Sequence, residues 1–143
     1  MIELLKSINT LLTGDTTLMA LATSGVHQAM APAKTVPPFV IFYIVPAAGP
    51  AYVFGGAEAY DDILLALKGV AQDKDDGSVA GVDLAEQIRE RGKVLLSNAS
   101  LSVTGFNVLS VLCGQPLPAM TENVGGRIRY HRGDYYRALL QKV

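Results

Sequence analysis

The sequence predicts an α+β fold: a mixed, mostly antiparallel sheet with an N-terminal helical pair and one long amphipathic helix packed on it. Three observations carry this. Apolar residues before Gly25 recur at helical spacing. Runs rich in β-branched and aromatic residues occupy the middle and the end of the chain. Between them, from Val79 to about Leu96, the pattern is helical again. Helices, strands, a helix and strands again read as segregated layers rather than as a repeating βα unit.

The elements follow in order. "IELLKSINTLL" puts Ile2, Leu5, Ile8 and Leu12 on one stripe, with Gly14 as the stop. Asp15 or Thr16 can cap a short second helix, "TTLMALAT", ended by Gly25. "VHQAM" is a short strand, and "APAKTVPP" is a loop into the strand "FVIFYIV". Residues 46–58 are too rich in glycine, proline and alanine for a regular element and read as a long loop or a flexible hairpin. Pro46, Gly49, Pro50, Tyr52, Phe54, Gly55 and Gly56 are candidates for an arm that orders against a partner. "AYDDILLALKGVAQ" suits strand or helix, and strand is favoured because Phe39–Val45 needs partners. "DKDDGS" is a polar turn. In the long helix, Val82, Ala85, Ile88, Gly92 and Leu95 form the inward stripe. Its acids come early and its bases late, as the helix dipole favours. "SLSVTGFNVLSVLCG" gives one or two strands broken near Gly105, "QPLPAMTENVGG" is a loop, and the closing segment alternates as a strand covered on both faces.

At 143 residues the chain fits a single domain, 1–143, able to bury one core. Charged residues are only 17% and the net charge is −1, so there is no overall attraction to DNA or to an anionic membrane. So little charge suits a protein that hides surface in an oligomer. Residues 35–57 carry no charge, but Pro37, Pro38, Pro46 and Pro50 interrupt them. The apolar run Phe39–Val45 is far short of the ~20 residues a membrane helix needs. The start has no basic region followed by an apolar one, so no signal peptide is expected. Cys113 is the lone cysteine, in an apolar strand context, and reads as a small core residue in a reducing compartment.

No catalytic, cofactor or metal site is expected. His27, Cys113 and His131 have no ligand spacing. A calcium loop begun at Asp73 would put Ser78 where glycine belongs and Leu84 where the closing acid belongs. His131 close to Asp134 could be an oriented base, but no nucleophile stands beside the pair and a surface histidine is the plainer reading. There is no GxSxG, GxGxxG or GxxxxGK[ST] motif. "RGD" at Arg132–Asp134 is too short to mean adhesion.

The pattern that stands out is "GGRIRYHRGDYYRALLQKV". It holds four of the six arginines and three of the six tyrosines. Arg127, Arg129 and Arg132, interleaved with Tyr130, Tyr135 and Tyr136, could track a nucleic-acid backbone and stack bases. Arginine and tyrosine are equally the residues of protein interfaces. From Met120 to Val143 there are five bases and two acids, and from Pro50 to Gly77 two bases and six acids. Such opposite patches suit copies that meet head to tail. The candidate interface is therefore Arg127, Arg129, Tyr130, Arg132 and Tyr135 on one side and Asp73, Asp75 and Asp76 on the other.

The order of these segments resembles the tail-terminator, or tail-completion, proteins of long-tailed phages and prophages with flexible, non-contractile tails. The similar parts are "IELLKSINTLLTGDTTLMALA", "VHQAMAP" leading to "VPPFVIFYIV", "DDILLALKGVA" with its acidic turn, "VDLAEQIRERGKVLL", and the strand after "RYHRGDYYRALL". The likeness is one of layout over nearly the whole chain; "AP…PPFVIF" and the "YH…YR" ending are its most telling pieces. The glycine-rich, apolar "AAGPAYVFGGA" departs from a plain surface turn. The resemblance implies a non-enzymatic subunit without cofactor that forms a ring of about six copies. The ring would cap the tail tube, stop its growth and dock to a head-completion or connector protein. It implies a place in the virion tail, assembly in the host cytoplasm, no membrane partner, and DNA contact only through the ring lumen. Another neck or connector subunit, and a nucleic-acid-binding α+β domain, are the alternatives.

Overall fold

The computed structural model describes residues 2–46, 50–52, 58–74 and 80–143. Its elements are α1 (Ile2–Thr13), α2 (Thr16–Leu21), β1 (Val26–Gln28), β2 (Phe39–Val45), β3 (Pro50–Tyr52), β4 (Glu58–Gln72), α3 (Gly81–Leu96), β5 (Phe106–Pro116), β6 (Met120–Val124) and β7 (Arg127–Lys142). They form the expected α+β architecture. The sheet order is β1-β2-β4-β7-β5, with β3 pairing β4 and β6 pairing β7. β1 runs parallel to β2 and every other pairing is antiparallel.

Two long hairpins make this sheet. β2 and then β3 lie along β4, with Val45 opposite Leu64 and Pro50 opposite Asp61. β5 and then β6 lie along β7, with Phe106 opposite Lys142 and Val124 opposite Arg127. Gly125 and Gly126 close the second hairpin with φ of 61° and 83°. A two-residue turn with both φ positive matches the strand twist and favours glycine at both places. β4 pairs with β7 from Asp61–Leu140 to Gln72–Arg129, so these two strands form the middle of the sheet.

The helices cover one face. Leu4, Ile8, Leu12, Leu18, Val40, Phe42, Leu65, Leu67, Ile88, Leu96, Tyr136, Ala138 and Leu140 form the main core there. On α1 the buried stripe is Leu4, Ile8 and Leu12, while Ile2 is 68% exposed and Leu5 only half-buried. The apolar face of this helix is wide, and only packing against the sheet decides which edge of it turns inward. On α3 the buried positions are Gly81, Ala85, Ile88, Gly92 and Leu96, with Val82 and Leu95 at the margins. Two glycines explain that rotation. A Cβ on Gly69 of β4 would lie 2.6 Å from Ile88, and one on Gly92 would lie 2.6 Å from Leu67. The helix rests where side chains are missing.

Asp15 caps α2, as its place before two threonines suggested: its carboxylate accepts from the Leu18 N–H at 2.8 Å. The same carboxylate takes two bonds from Arg91 of α3, at 2.7 and 2.9 Å, which ties the helices together. The other sheet face carries a smaller cluster, Phe39, Ile41 and Val70, with Ala31 and Tyr43 against it.

One loop expectation changes. Residues 115–126 are not one loop: β5 continues to Pro116, and Met120–Val124 forms β6. "MTENV" has little strand character of its own, and it is held by backbone bonds to β7. Residues 46–58 contain the paired strand β3, so the hairpin reading holds for its described part. Of the arm residues, Pro46 is exposed and Pro50 and Tyr52 belong to β3. Gly49, Phe54, Gly55 and Gly56 lie outside the described residues.

Candidate interaction surface

The basic, aromatic run becomes β7 and the turn before it, and strand alternation deals its residues to two faces. Arg132, Asp134 and Tyr136 point toward α3, whereas Arg129, His131, Gly133 and Tyr135 point away from it. What reads as one cluster along the chain is two environments in space.

On the helix side, Arg89 of α3 grips Asp134 with its Nε and Nη2, both at 2.9 Å. Asp134 is 2% exposed. The carboxylate raises the Arg89 pKa further above its usual value. Glu86 joins the network, 3.4 Å from Arg89 and 3.5 Å from Arg132. Arg132 also donates to the Met120 and His131 carbonyls and lies 6.0 Å over the Tyr130 ring. The third residue of "RGD" is thus buried in an ion pair and is no adhesion handle. Sequence reasoning missed this pair. The only hint was an arginine on α3 three positions after Glu86, which looks like an ordinary surface pair.

On the other side, His131 is 7% exposed, so it is not the surface histidine expected. Its Nε2 lies 2.8 Å from a Glu122 carboxylate oxygen. Burial lowers its pKa, and Glu122 offsets only part of that. His131 and Asp134 point to opposite faces, so they form no dyad. Arg129 donates to the Thr35 carbonyl at 3.4 Å, fastening the loop before β2 across the end of β7. Tyr43, Lys68, Leu117, Met120, His131 and Tyr135 line a shallow cleft of about 320 Å³. Burial lowers the Lys68 pKa there.

Of the acidic candidates, Asp73 is exposed but accepts from the Gly81 N–H at 2.6 Å, serving the start of α3. Asp75 and Asp76 lie outside the described residues. Because Gln72 pairs with Arg129, Asp73 sits at the same end of the sheet as Arg127 and Arg129. Arg127 is exposed, and Tyr130 and Tyr135 are half-buried. The exposed bases of β7 are therefore Arg127 at the hairpin end and Arg137 and Lys142 at the other, with Arg137 paired to Asp62, whereas Arg129 and Arg132 are partly buried.

Burial raises the Cys113 pKa, which favours the protonated thiol. Burial also raises the phenol of the neighbouring Tyr136. Among the described residues no group of three or more His, Cys, Asp or Glu side chains is set to hold a metal ion. No described helix is long and apolar enough to cross a membrane.

No family model matches the chain, and no curated protein matches it. Solved structures do. A chain in the virion of a native gene transfer agent (GTA) particle superposes with a TM-score of 0.66 at 18% identity, over 95% of this chain and 92% of that one. A second solved chain superposes with a TM-score of 0.57 at 18% identity, over 96% of this chain and 90% of that one. Both likenesses run nearly end to end, so the whole α+β unit, hairpins included, is a shared fold.

Proposed function

We propose that this chain is a structural protein of a phage-type virion, and that within the virion it is the tail terminator. The observation that carries the proposal is the end-to-end match to a chain of a gene transfer agent particle. The sequence layout supports the finer reading. So does the exposed Arg127 at the hairpin end of β7. In this reading the chain forms a ring of about six copies that seats on the last ring of the tail-tube protein. It ends tube growth there and offers its other side to a head-completion or connector protein. Arg127 and Arg129 at the hairpin end would meet carboxylates of a neighbour, with Tyr130 and Tyr135 behind them. Asp73, Asp75 and Asp76 are the acids proposed for the facing copy. Arg132, tied to Glu86, contributes less.

Two measurements test this. Native mass spectrometry of the purified chain, alone and with tail-tube rings, should give one closed oligomer that binds the tube. Electron microscopy of particles made without the chain should show tails of uncontrolled length. Normal tails in its absence would overturn the terminator reading. An oligomer that binds the connector but not the tube would assign the chain to the neck instead.

A further inference from the structure

We propose that copies of this chain join by strand addition, the outer edge of β5 in one copy pairing with the outer edge of β2 and β3 in the next. The proposal rests on the ring reading only for the number of copies that join. The starting observation is where the sheet keeps its charge. Most of it lies on the two long inner strands: β4 holds Glu58, Asp61, Asp62 and Lys68, and β7 holds Arg127, Arg129, Arg132, Asp134, Arg137 and Lys142, with Glu122 on the short β6. The edge strand β5, "FNVLSVLCGQP", has no acid, lysine or arginine in eleven residues, and β2 and β3 have none either. This inverts the usual arrangement, in which edge strands carry lysine or other charges that prevent pairing with another chain.

Neither edge carries a full-length strand partner among the described residues. β5 ends the strand order and β7 is its strand partner; on its outer side the Val111 carbonyl accepts from the Asn98 N–H at 2.8 Å, and no strand pairs with the rest of that edge. Its Leu109 and Leu112 are 52% and 51% exposed, large apolar side chains beside unpaired backbone. At the opposite edge, β1 covers only Val40–Phe42, so Tyr43–Val45 and then Pro50–Tyr52 have backbone pairing on the β4 side alone. Both edges are uncharged.

Strand direction favours this occupant. β2 and β7 run one way, β4 and β5 the other. When a second copy continues the sheet beyond β5, the strand it presents is β2 with β3, which runs opposite to β5. The new ladder is antiparallel, the more stable pairing. The contact uses two different edges, so it repeats from copy to copy and closes as a ring when the rotation permits. Two register shifts in β5, at Val108/Ser110 and Cys113/Pro116, add twist to this edge, which suits a sheet that curves around an axis.

The test reads backbone amides, since side-chain contact alone would not protect them. Amide exchange is followed by residue-resolved mass spectrometry in the isolated chain and in the assembly, alone or on tail-tube rings. The expected result is fast exchange at alternate β5 amides in the monomer and at least tenfold slowing on assembly, matched by slowing at Tyr43–Val45. Leu109→Lys/Leu112→Lys should leave the monomer's thermal unfolding within a few degrees and prevent assembly. An oligomer with β5 amides still exchanging fast would overturn strand addition and leave the ring reading standing. A two-copy particle protected at β5 but not at β2 would mean β5 pairs with itself and would also overturn it. A chain that stays monomeric under every condition, including on the tube, would sink both readings.

Discussion

Replacing Asp134 by leucine should destabilise the protein far more than its place in a basic surface run suggests. The change removes both acceptors of the Arg89 fork at similar volume. Arg89 is then left with Glu86 at 3.4 Å as its carboxylate partner. Breaking one side of a buried pair costs roughly 3–5 kcal/mol. Asp134 is 2% exposed, but Arg89 is 20% exposed and keeps water and Glu86, so the loss falls at or below the bottom of that range, about 2–3 kcal/mol. With about 2.1 cal/mol/K of unfolding entropy per residue, the loss lowers Tm by roughly 7–10 °C for a chain of this size. The assay is thermal and urea unfolding of the wild type, Asp134→Leu, Arg89→Met and the double variant. Replacing both partners of a buried ion pair by apolar residues of similar volume is often near neutral, so the double variant should recover most of the loss. A Tm within about 2 °C of wild type for Asp134→Leu would refute the reasoning. So would a double variant as unstable as the sum of the two single ones.

Three further outcomes are expected. Gly133→Ala should unfold the sheet centre, because a Cβ there meets the Leu67 carbonyl and comes within 2.7 Å of Lys68 Cα. Neither can move without breaking the β4–β7 ladder, so a loss of at least ~3 kcal/mol, or insoluble protein, is expected in urea unfolding. His131 has a folded pKa below its unfolded value of about 6.5, so the unfolded chain binds more protons in acid. Its stabilising contribution is full above that value and falls as pH drops through the folded pKa. His131→Phe should flatten this part of the stability–pH curve, and an unchanged slope between about pH 7 and 5 would count against a buried neutral ring. Arg127→Glu/Arg129→Glu should leave the monomer folded and abolish association with copies or tube. If the variant assembles normally but loses nucleic-acid affinity with a shallower salt dependence, the DNA-binding reading gains.

Local chemistry alone made most elements of this protein legible. Ile2 to Leu12 repeats at helical spacing, Asp15 stands before two threonines, "FVIFYIV" is β-branched and aromatic, and the acids and bases of α3 order themselves along its dipole. Each is a property of neighbours in sequence, so each can be read without the fold. The phasing of α3 was readable at Ala85, Ile88 and Gly92 but not at its margins, where Gly81 and Leu96 are buried in place of Val82 and Leu95; across the contact Gly69 and Gly92 offer room for Ile88 and Leu67. β6 was hidden for a similar reason: its five residues become a strand only because β7 supplies the hydrogen-bonding partner. The arginine and tyrosine run was visible as composition. Its division was not, since a strand sends alternate residues to opposite faces and the partners come from far away. Asp134 finds Arg89 at a separation of 45 residues, and Arg132 finds Glu86 on the same helix. Whether an arginine faces solvent or a carboxylate depends on what the chain folds against it. The tertiary structure therefore decided which of these charges are spent inside the subunit and which remain for a partner.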